Sequence, residues 1–262
     1  MNILDQIIAQ KKREVVLKKS LVSANQLENT ALFNSRTTSL SKSVLHSPFG
    51  IIAEHKRRSP SKATINHNLF LEDVVKGYED AGASGISVLT DTNFFGGSLD
   101  DFLLAKASVK TPLLRKEFIV DEYQILESKA YGADAILLIA AVLTQSEIKT
   151  LAAFAHSIAL EVLLEVHNQA ELDKSLIPEL DMIGVNNRNL KTFEVRLDTS
   201  LALVDKIPNN VVKISESGLH TAAEIKLLKS AGFNGFLMGE AFMKNNNPGA
   251  ELATLLEQLK AV

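Results

Sequence analysis

Ala135-Ile136-Leu137-Leu138-Ile139, then an amphipathic stretch from Ser146 to Ile158, then Val162-Leu163-Leu164-Glu165-Val166, follow one another without a linker. Two short apolar runs separated by one helical stretch describe a βαβ unit, and hence two parallel strands of one sheet. The same alternation extends in both directions. Upstream stand Ile51-Ile52-Ala53, Gly85-Ile86-Ser87-Val88-Leu89 and Pro112-Leu113-Leu114-Arg115, and downstream Met182-Ile183-Gly184-Val185, Val211-Val212-Lys213-Ile214 and Gly235-Phe236-Leu237-Met238. Helix-like segments, such as Leu69 to Tyr78, Asp121 to Tyr131, Ala222 to Ser230 and Ala250 to Leu259, lie between or after them. Ala81-Gly82-Ala83, Tyr131-Gly132-Ala133 and Ala231-Gly232-Phe233 end three helices just before the next strand, as helix-to-strand loops usually do. Eight units favour a closed barrel over an open doubly wound sheet. The expected fold class is α/β, a (β/α)8 TIM barrel with an N-terminal helical extension. One domain is expected over residues 1–262, with the extension at 1–47 and the barrel at 48–262.

Within the extension, Leu4, Ile7, Ile8 and Val15 recur at helical spacing, and the first three are expected to pack it outside the barrel. Lys11-Lys12-Arg13 reads as a solvated face. Ser20 to His46 is polar and weakly patterned, a lead-in with some helix. Of the 262 residues 46% are hydrophobic and 23% charged, with a net charge of −3, so no electrostatic case exists for nucleic acid or an anionic membrane. Cysteine is absent, which excludes disulfides, thiolate metal sites and a cysteine nucleophile. The amino end lacks the apolar core and small-residue cleavage site of a signal peptide, and no apolar run reaches membrane-span length. A cytoplasmic protein is expected.

In such a barrel the carboxyl ends of the strands build the active site. Strand alternation puts Glu54 and Lys56 on one face of the first strand, Lys116 with Leu114 on the third, and Glu165 with Leu163 on the fifth. The sixth strand ends in Asn186-Asn187-Arg188 and the seventh in Ser215-Glu216-Ser217-Gly218. Any one of these alone would be a strand-end charge in solvent. Two lysines and three glutamates in one mouth would instead shift each other's pKa values and supply acids and bases together. Ser217-Gly218 and Gly239-Glu240, after the two final strands, occupy the region where barrels hold phosphate. Gly96-Gly97 reads as a flexible loop and Phe94-Phe95 as core. The six histidines form no metal-ligand cluster, although Glu165-Val166-His167 could pair a carboxylate with an imidazole. His55, between Glu54 and Lys56, should face the helix layer. No ATP- or dinucleotide-binding glycine motif is present.

The stretch Ile52-Ala53-Glu54-His55-Lys56-Arg57-Arg58-Ser59-Pro60-Ser61 resembles the first-strand signature of the indole-3-glycerol phosphate synthase family. Further matches follow in order: Ser87 to Asp91 with Phe95 and Ser98, Leu114 to Ile119, Leu164 to His167, Ile183 to Leu190, and Ser215 to Gly218. The resemblance covers essentially the whole chain. It implies that Glu54, Lys56, Lys116, Glu165, Asn186 and Glu216 are catalytic, with Arg188 and Ser217 binding substrate beside them. It also implies a phosphate shell of Ser59, Gly218, Gly239 and the backbone of Glu240; the Glu240 carboxylate itself would repel a phosphate. The implied substrate is an anthranilate-bearing sugar phosphate, turned over by a monomer without metal or cofactor. Two rival readings fit less well. A phosphoribosyl-anthranilate isomerase would be expected to use a cysteine, which is absent. A catalytically dead barrel that binds a phosphorylated metabolite would be expected to lack one of the strand-end charges, and all are present.

Overall fold

The computed structural model describes residues 3–190 and 192–261. Three helices come first: α1 (Ile3–Leu21), α2 (Ala24–Glu28) and α3 (Leu40–His46). The barrel then runs β1 (Ile51–His55), α4 (Leu71–Ala81), β2 (Gly85–Leu89), α5 (Thr92–Phe95), α6 (Leu99–Ser108), β3 (Leu113–Lys116), α7 (Glu122–Ala130), β4 (Ala135–Ile139) and α8 (Gln145–Ser157). It continues with β5 (Glu161–Val166), α9 (Gln169–Ser175), β6 (Met182–Asn186), α10 (Asp198–Leu203), β7 (Val212–Glu216), α11 (Ala222–Ser230), β8 (Gly235–Met238), α12 (Glu240–Met243) and α13 (Pro248–Lys260). The eight strands close in sequence order, all parallel, with β8 pairing back to β1. This is the (β/α)8 barrel the alternation predicts, preceded by a helical segment.

Local chemistry sets the boundaries. Thr144 with Glu147 and Thr221 with Glu224 form capping boxes at the starts of α8 and α11, and Pro248 opens α13, where a missing N–H costs nothing. Along each strand one parity points outward and the other inward. Ile51, Ala53 and His55 of β1 face the helices, His55 buried as expected. Ile52, Leu114, Leu137, Leu163, Met182, Ile214 and Leu237 fill the barrel interior.

The extension is more than a lead-in. Leu40 and Val44 of α3, fully buried, belong to that interior cluster. The strand starts make room for them with glycine. A Cβ on Gly85 would lie 2.2 Å from Leu40 Cδ1, and one on Gly235 would lie 2.7 Å from Val44 Cγ1. Ser41 fixes the helix by giving its N–H and its hydroxyl, each at 2.8 Å, to the carboxylate of Glu161 at the start of β5. The helix thus plugs the amino-terminal end of the barrel, a role hidden by the polar composition around Leu40 and Val44. At α1, Ile7, Lys11 and Val15 form the buried stripe, so Lys11 departs from the expectation of a solvated face. It stands four residues from each apolar neighbour and therefore shares their side of the helix. Its ammonium reaches Glu14 at 2.8 Å, Asp91 at 3.0 Å and Glu117 at 3.2 Å. Gly97 is likewise no flexible loop. It is buried, and a Cβ there would overlap the Leu89 carbonyl oxygen at 1.9 Å.

If α3 is a plug, Leu40→Ala should destabilise the protein by about 2–5 kcal/mol through an unfilled cavity. Urea denaturation measures this; a loss below about 1 kcal/mol would show that the barrel does not depend on the plug.

Candidate active site

The opposite end of the barrel opens into a cavity of about 250 Å³. Glu54, Lys56, Lys116, Glu165, Asn186 and Glu216 line it, as do Ser59, Arg188, Ser217, Gly218, Gly239 and Glu240. All the residues singled out from the sequence therefore meet in one place. The register explains why: Leu89 pairs with Lys116, Ile139 with Glu165, and Asn186 with Glu216, so these strand ends stand at one level.

Two ion groups organise the cavity. Lys56 donates to Glu54 at 2.6 Å. Lys116 lies 2.5 Å from Glu216 and 3.3 Å from Glu165. Burial works against the Lys116 charge, but Glu216, Glu165 and Glu54 together raise its pKa above the ordinary lysine value. Burial also works against an ionised Glu165; there Lys116 and then His167 prevail and hold the carboxyl below its usual range. For Glu216 burial prevails. Lys116 opposes it, Glu165 adds to it, and the carboxyl is pushed up to about 7. One ammonium between two carboxylates thus leaves one ionised and one holding its proton to neutrality.

The walls differ in character. Phe95 lines the cavity with Phe118, their ring centroids 5.8 Å apart, so Phe95 is a pocket wall rather than plain core. Ile3, Leu4 and Ile7 bring α1 to the rim. Leu4 and Ile7 thus face the mouth, beyond their expected part in packing the extension. On the far side Ser217 and Gly218 both take positive φ, 69° and 73°, a conformation glycine adopts freely and serine does not. Asn187 fixes that turn: its Nδ2 donates to the carbonyls of Glu216 and Ser217, each at 3.1 Å. Glu240 accepts from Lys62 at 2.7 Å and lies 4.0 Å from Arg188. The negative side chain expected to repel a phosphate is therefore partnered by cations.

Sequence reasoning missed two contributors, Asn187 and Gly184, and a second role of Gly239. Asn187 lies within a matched block but points away from the cavity centre. Gly184 provides space, because a Cβ there would sit 2.0 Å from Glu216 Oε1; glycine inside a strand signals such an approach. Gly239 similarly abuts Glu54, whose Cβ and Oε1 would each lie 2.9 Å from an added Cβ. Enlarging Gly239 would therefore displace Glu54 as well as crowd a phosphate.

A closed parallel barrel whose mouth gathers lysines, carboxylates and glycine turns defines a (β/α)8-barrel enzyme. The sequence model of the indole-3-glycerol phosphate synthase family matches residues 4–255, and the chain belongs to that family. It is 46% identical over 259 residues to the indole-3-glycerol phosphate synthase of Bacteroides thetaiotaomicron, covering 99% of each chain. It is 43% identical over 258 residues to that of Polaromonas naphthalenivorans, covering 97% of this chain and 98% of the other. The fold is also that of a chain from the tryptophan synthase complex of Pyrococcus furiosus, with a TM-score of 0.59 at 16% identity, over 81% of this chain and 98% of that one.

Glu216 makes a pH-dependent prediction. Folded, it keeps its proton up to about 7 against an ordinary 4.5, so its contribution to stability is complete below 4.5 and lost as pH rises through 7. Between about pH 5 and about pH 8 the stability difference should therefore move in favour of Glu216→Gln, which has no such proton to lose. Urea midpoints across that range read the effect, and a constant difference would contradict the assignment.

Proposed function

We propose that the protein catalyses the reaction of its family: ring closure, decarboxylation and dehydration of 1-(2-carboxyphenylamino)-1-deoxyribulose 5-phosphate to indole-3-glycerol phosphate. The observation that carries this reading is Lys116, buried in the cavity between Glu165 and Glu216. Its ammonium is held charged and can protonate the C2′ ketone oxygen as the aromatic carbon bearing the carboxylate attacks C2′. Attack leaves an iminium conjugated to that carbon. This internal electron sink accepts the pair released when the C–COO⁻ bond breaks and carbon dioxide departs. The new hydroxyl must then leave as water while a proton leaves the neighbouring carbon, which needs one acid and one base.

Glu165 is the acid–base partner of Lys116. The Lys56–Glu54 pair serves dehydration, with Lys56 and Arg188 also meeting the substrate carboxylate. Asn186 and Ser217 orient the intermediate, and Glu216, poised near neutrality, exchanges protons with Lys116. The apolar side formed by Phe95, Phe118 and α1 suits an anthranilate ring. The Ser217-Gly218 turn, Gly239, the Glu240 backbone and Ser59 suit the phosphate.

On this reading the extension and the barrel form one working domain in a cytoplasmic enzyme. On the same reading the enzyme works as a monomer; light scattering should return a mass near 28.6 kDa, and a dimer mass would overturn that part.

Mixing the protein with the substrate and following indole fluorescence tests the activity, and no product would sink it. Lys116→Met keeps the apolar stem but removes proton and charge. It should lower kcat by roughly 10²-fold or more while the sugar phosphate still binds. With folding confirmed by circular dichroism, a kcat within a few-fold of wild type would remove Lys116 from its role.

A further inference from the structure

His167 follows β5 directly and stands two residues beyond Glu165, so the two side chains leave the backbone on the same side. Glu165 lines the cavity; His167 is outside the lining, behind it, with its side chain only 8% exposed. Its Nε2 lies 3.3 Å from Glu165 Oε1, a contact of charge rather than an aligned hydrogen bond. Its Nδ1 lies 3.1 Å from Glu171 Oε2. Glu171 is itself fixed, because the same oxygen accepts the His167 N–H at 2.8 Å and Oε1 accepts from Asn168 Nδ2 at 2.7 Å. An imidazole with a carboxylate at each nitrogen is offered two acceptors, which only the doubly protonated ring can satisfy.

We propose that His167 and Glu171 are a positioning pair behind Glu165: the imidazolium, anchored by Glu171, keeps Glu165 ionised and directed at Lys116. This rests on the reading of Glu165 as the acid–base partner of Lys116. The chain of groups runs Glu171, His167, Glu165, Lys116, Glu216, alternating in sign until the last, which holds its proton to neutrality. Burial disfavours the imidazolium, but the Glu171 hydrogen bond and the charges of Glu165, Glu171 and Glu216 outweigh it and raise the His167 pKa. Lys116 has two carboxylates to satisfy; a second cation lets Glu165 stay ionised beside Glu216. Charged groups on four elements feed this balance, Lys116 from β3, Glu216 from β7, Glu54 from β1 and Glu171 from α9, and Asn186 of β6 hydrogen-bonds Glu165.

A purely structural role, tethering the start of α9 to the end of β5, would affect stability and leave the pH profile unchanged. The proposed role moves the profile. His167→Gln removes the cation while keeping a polar side chain. Glu171→Gln keeps the capping oxygen but removes the charge that stabilises the imidazolium. In both, Glu165 should take up a proton more readily, so the acid limb of kcat/KM moves up by roughly one pH unit. That is about a tenfold loss at a pH on the limb. Ionisations of the substrate are common to wild type and variants and cancel in the comparison.

Glu165→Gln separates the two ideas. If Glu165→Gln retains kcat, the acid–base reading of Glu165 fails and takes this inference with it. If Glu165→Gln abolishes turnover and the acid limb stays put in a folded His167→Gln, the inference alone fails. Should His167→Gln not fold, the limb in Glu171→Gln decides: an upward shift supports the pair, and an unmoved limb overturns it.

Discussion

A buried lysine ammonium is stable only where carboxylates replace the water it has lost, and Lys116 at the end of β3 meets that condition with Glu216 at 2.5 Å and Glu165 at 3.3 Å. The rest of the mouth follows from this choice. One positive charge does not balance two buried negatives, so Glu216 holds its proton to about 7 while Glu165 stays ionised beside a second cation, His167. Glu54 is balanced separately by Lys56. A group that exchanges protons near neutrality arises here from packing, because burial and the Glu165 charge outweigh the pull of Lys116 on Glu216.

The same strand carries the constraint outward. Arg115 and Glu117 flank Lys116, and Arg115 lies outside the cavity lining. Arg115 is fully buried, donating to Glu127 at 2.7 Å and to the Gln124 carbonyl at 3.0 Å. Glu117 accepts from Thr90 at 2.8 Å and faces Lys11, while Lys18 pairs with Glu127 at 2.7 Å. Lys11 and Lys18 are two turns apart on α1, so a single helix is tied to Glu117, next to Lys116, and through Glu127 of α7 to Arg115 of the same strand. That helix then presents Ile3, Leu4 and Ile7 to the rim. Breaking one buried partner would leave a carboxylate unpaired, which is strongly unfavourable. The rim and the strand that carries Lys116 are therefore mechanically tied.

Much of this was legible in the sequence, and the limits have physical causes. Alternation of short apolar runs with amphipathic stretches yields the barrel because each strand is covered by the helix that follows it. Strand parity yields Glu54, Lys56, Lys116, Glu165 and Glu216 because a period of two is rigid over four or five residues. Lys11 escaped because a basic residue within a basic run reads as solvated, and only the positions of Ile7 and Val15 betray its side of the helix. Leu40 and Val44 escaped because two apolar residues among serines carry no periodic signal; their partners are strand-start glycines far along the chain. Strand parity already offers the Glu165–His167 pairing, but Glu171 joins it from a helix start whose orientation to the strand end no local pattern specifies.

Glycine shows how space is assigned at both ends of the barrel. A glycine inside a strand loses packing and adds backbone freedom to the unfolded chain, so its presence there calls for a compensating contact. At the amino-terminal end Gly85 and Gly235 yield their volume to Leu40 and Val44, and the exchange is apolar for apolar. At the carboxyl-terminal end Gly184 yields its volume to the carboxyl of Glu216, and Gly239 abuts Glu54. There the exchange is apolar for ionisable, and the buried acids occupy room that a packed core would fill with methyl groups. The plug on one side and the glycines on the other are thus complementary. A barrel whose lower interior is filled by α3 can keep its upper interior charged, because Leu40 and Val44 add apolar contacts at the end opposite the cavity.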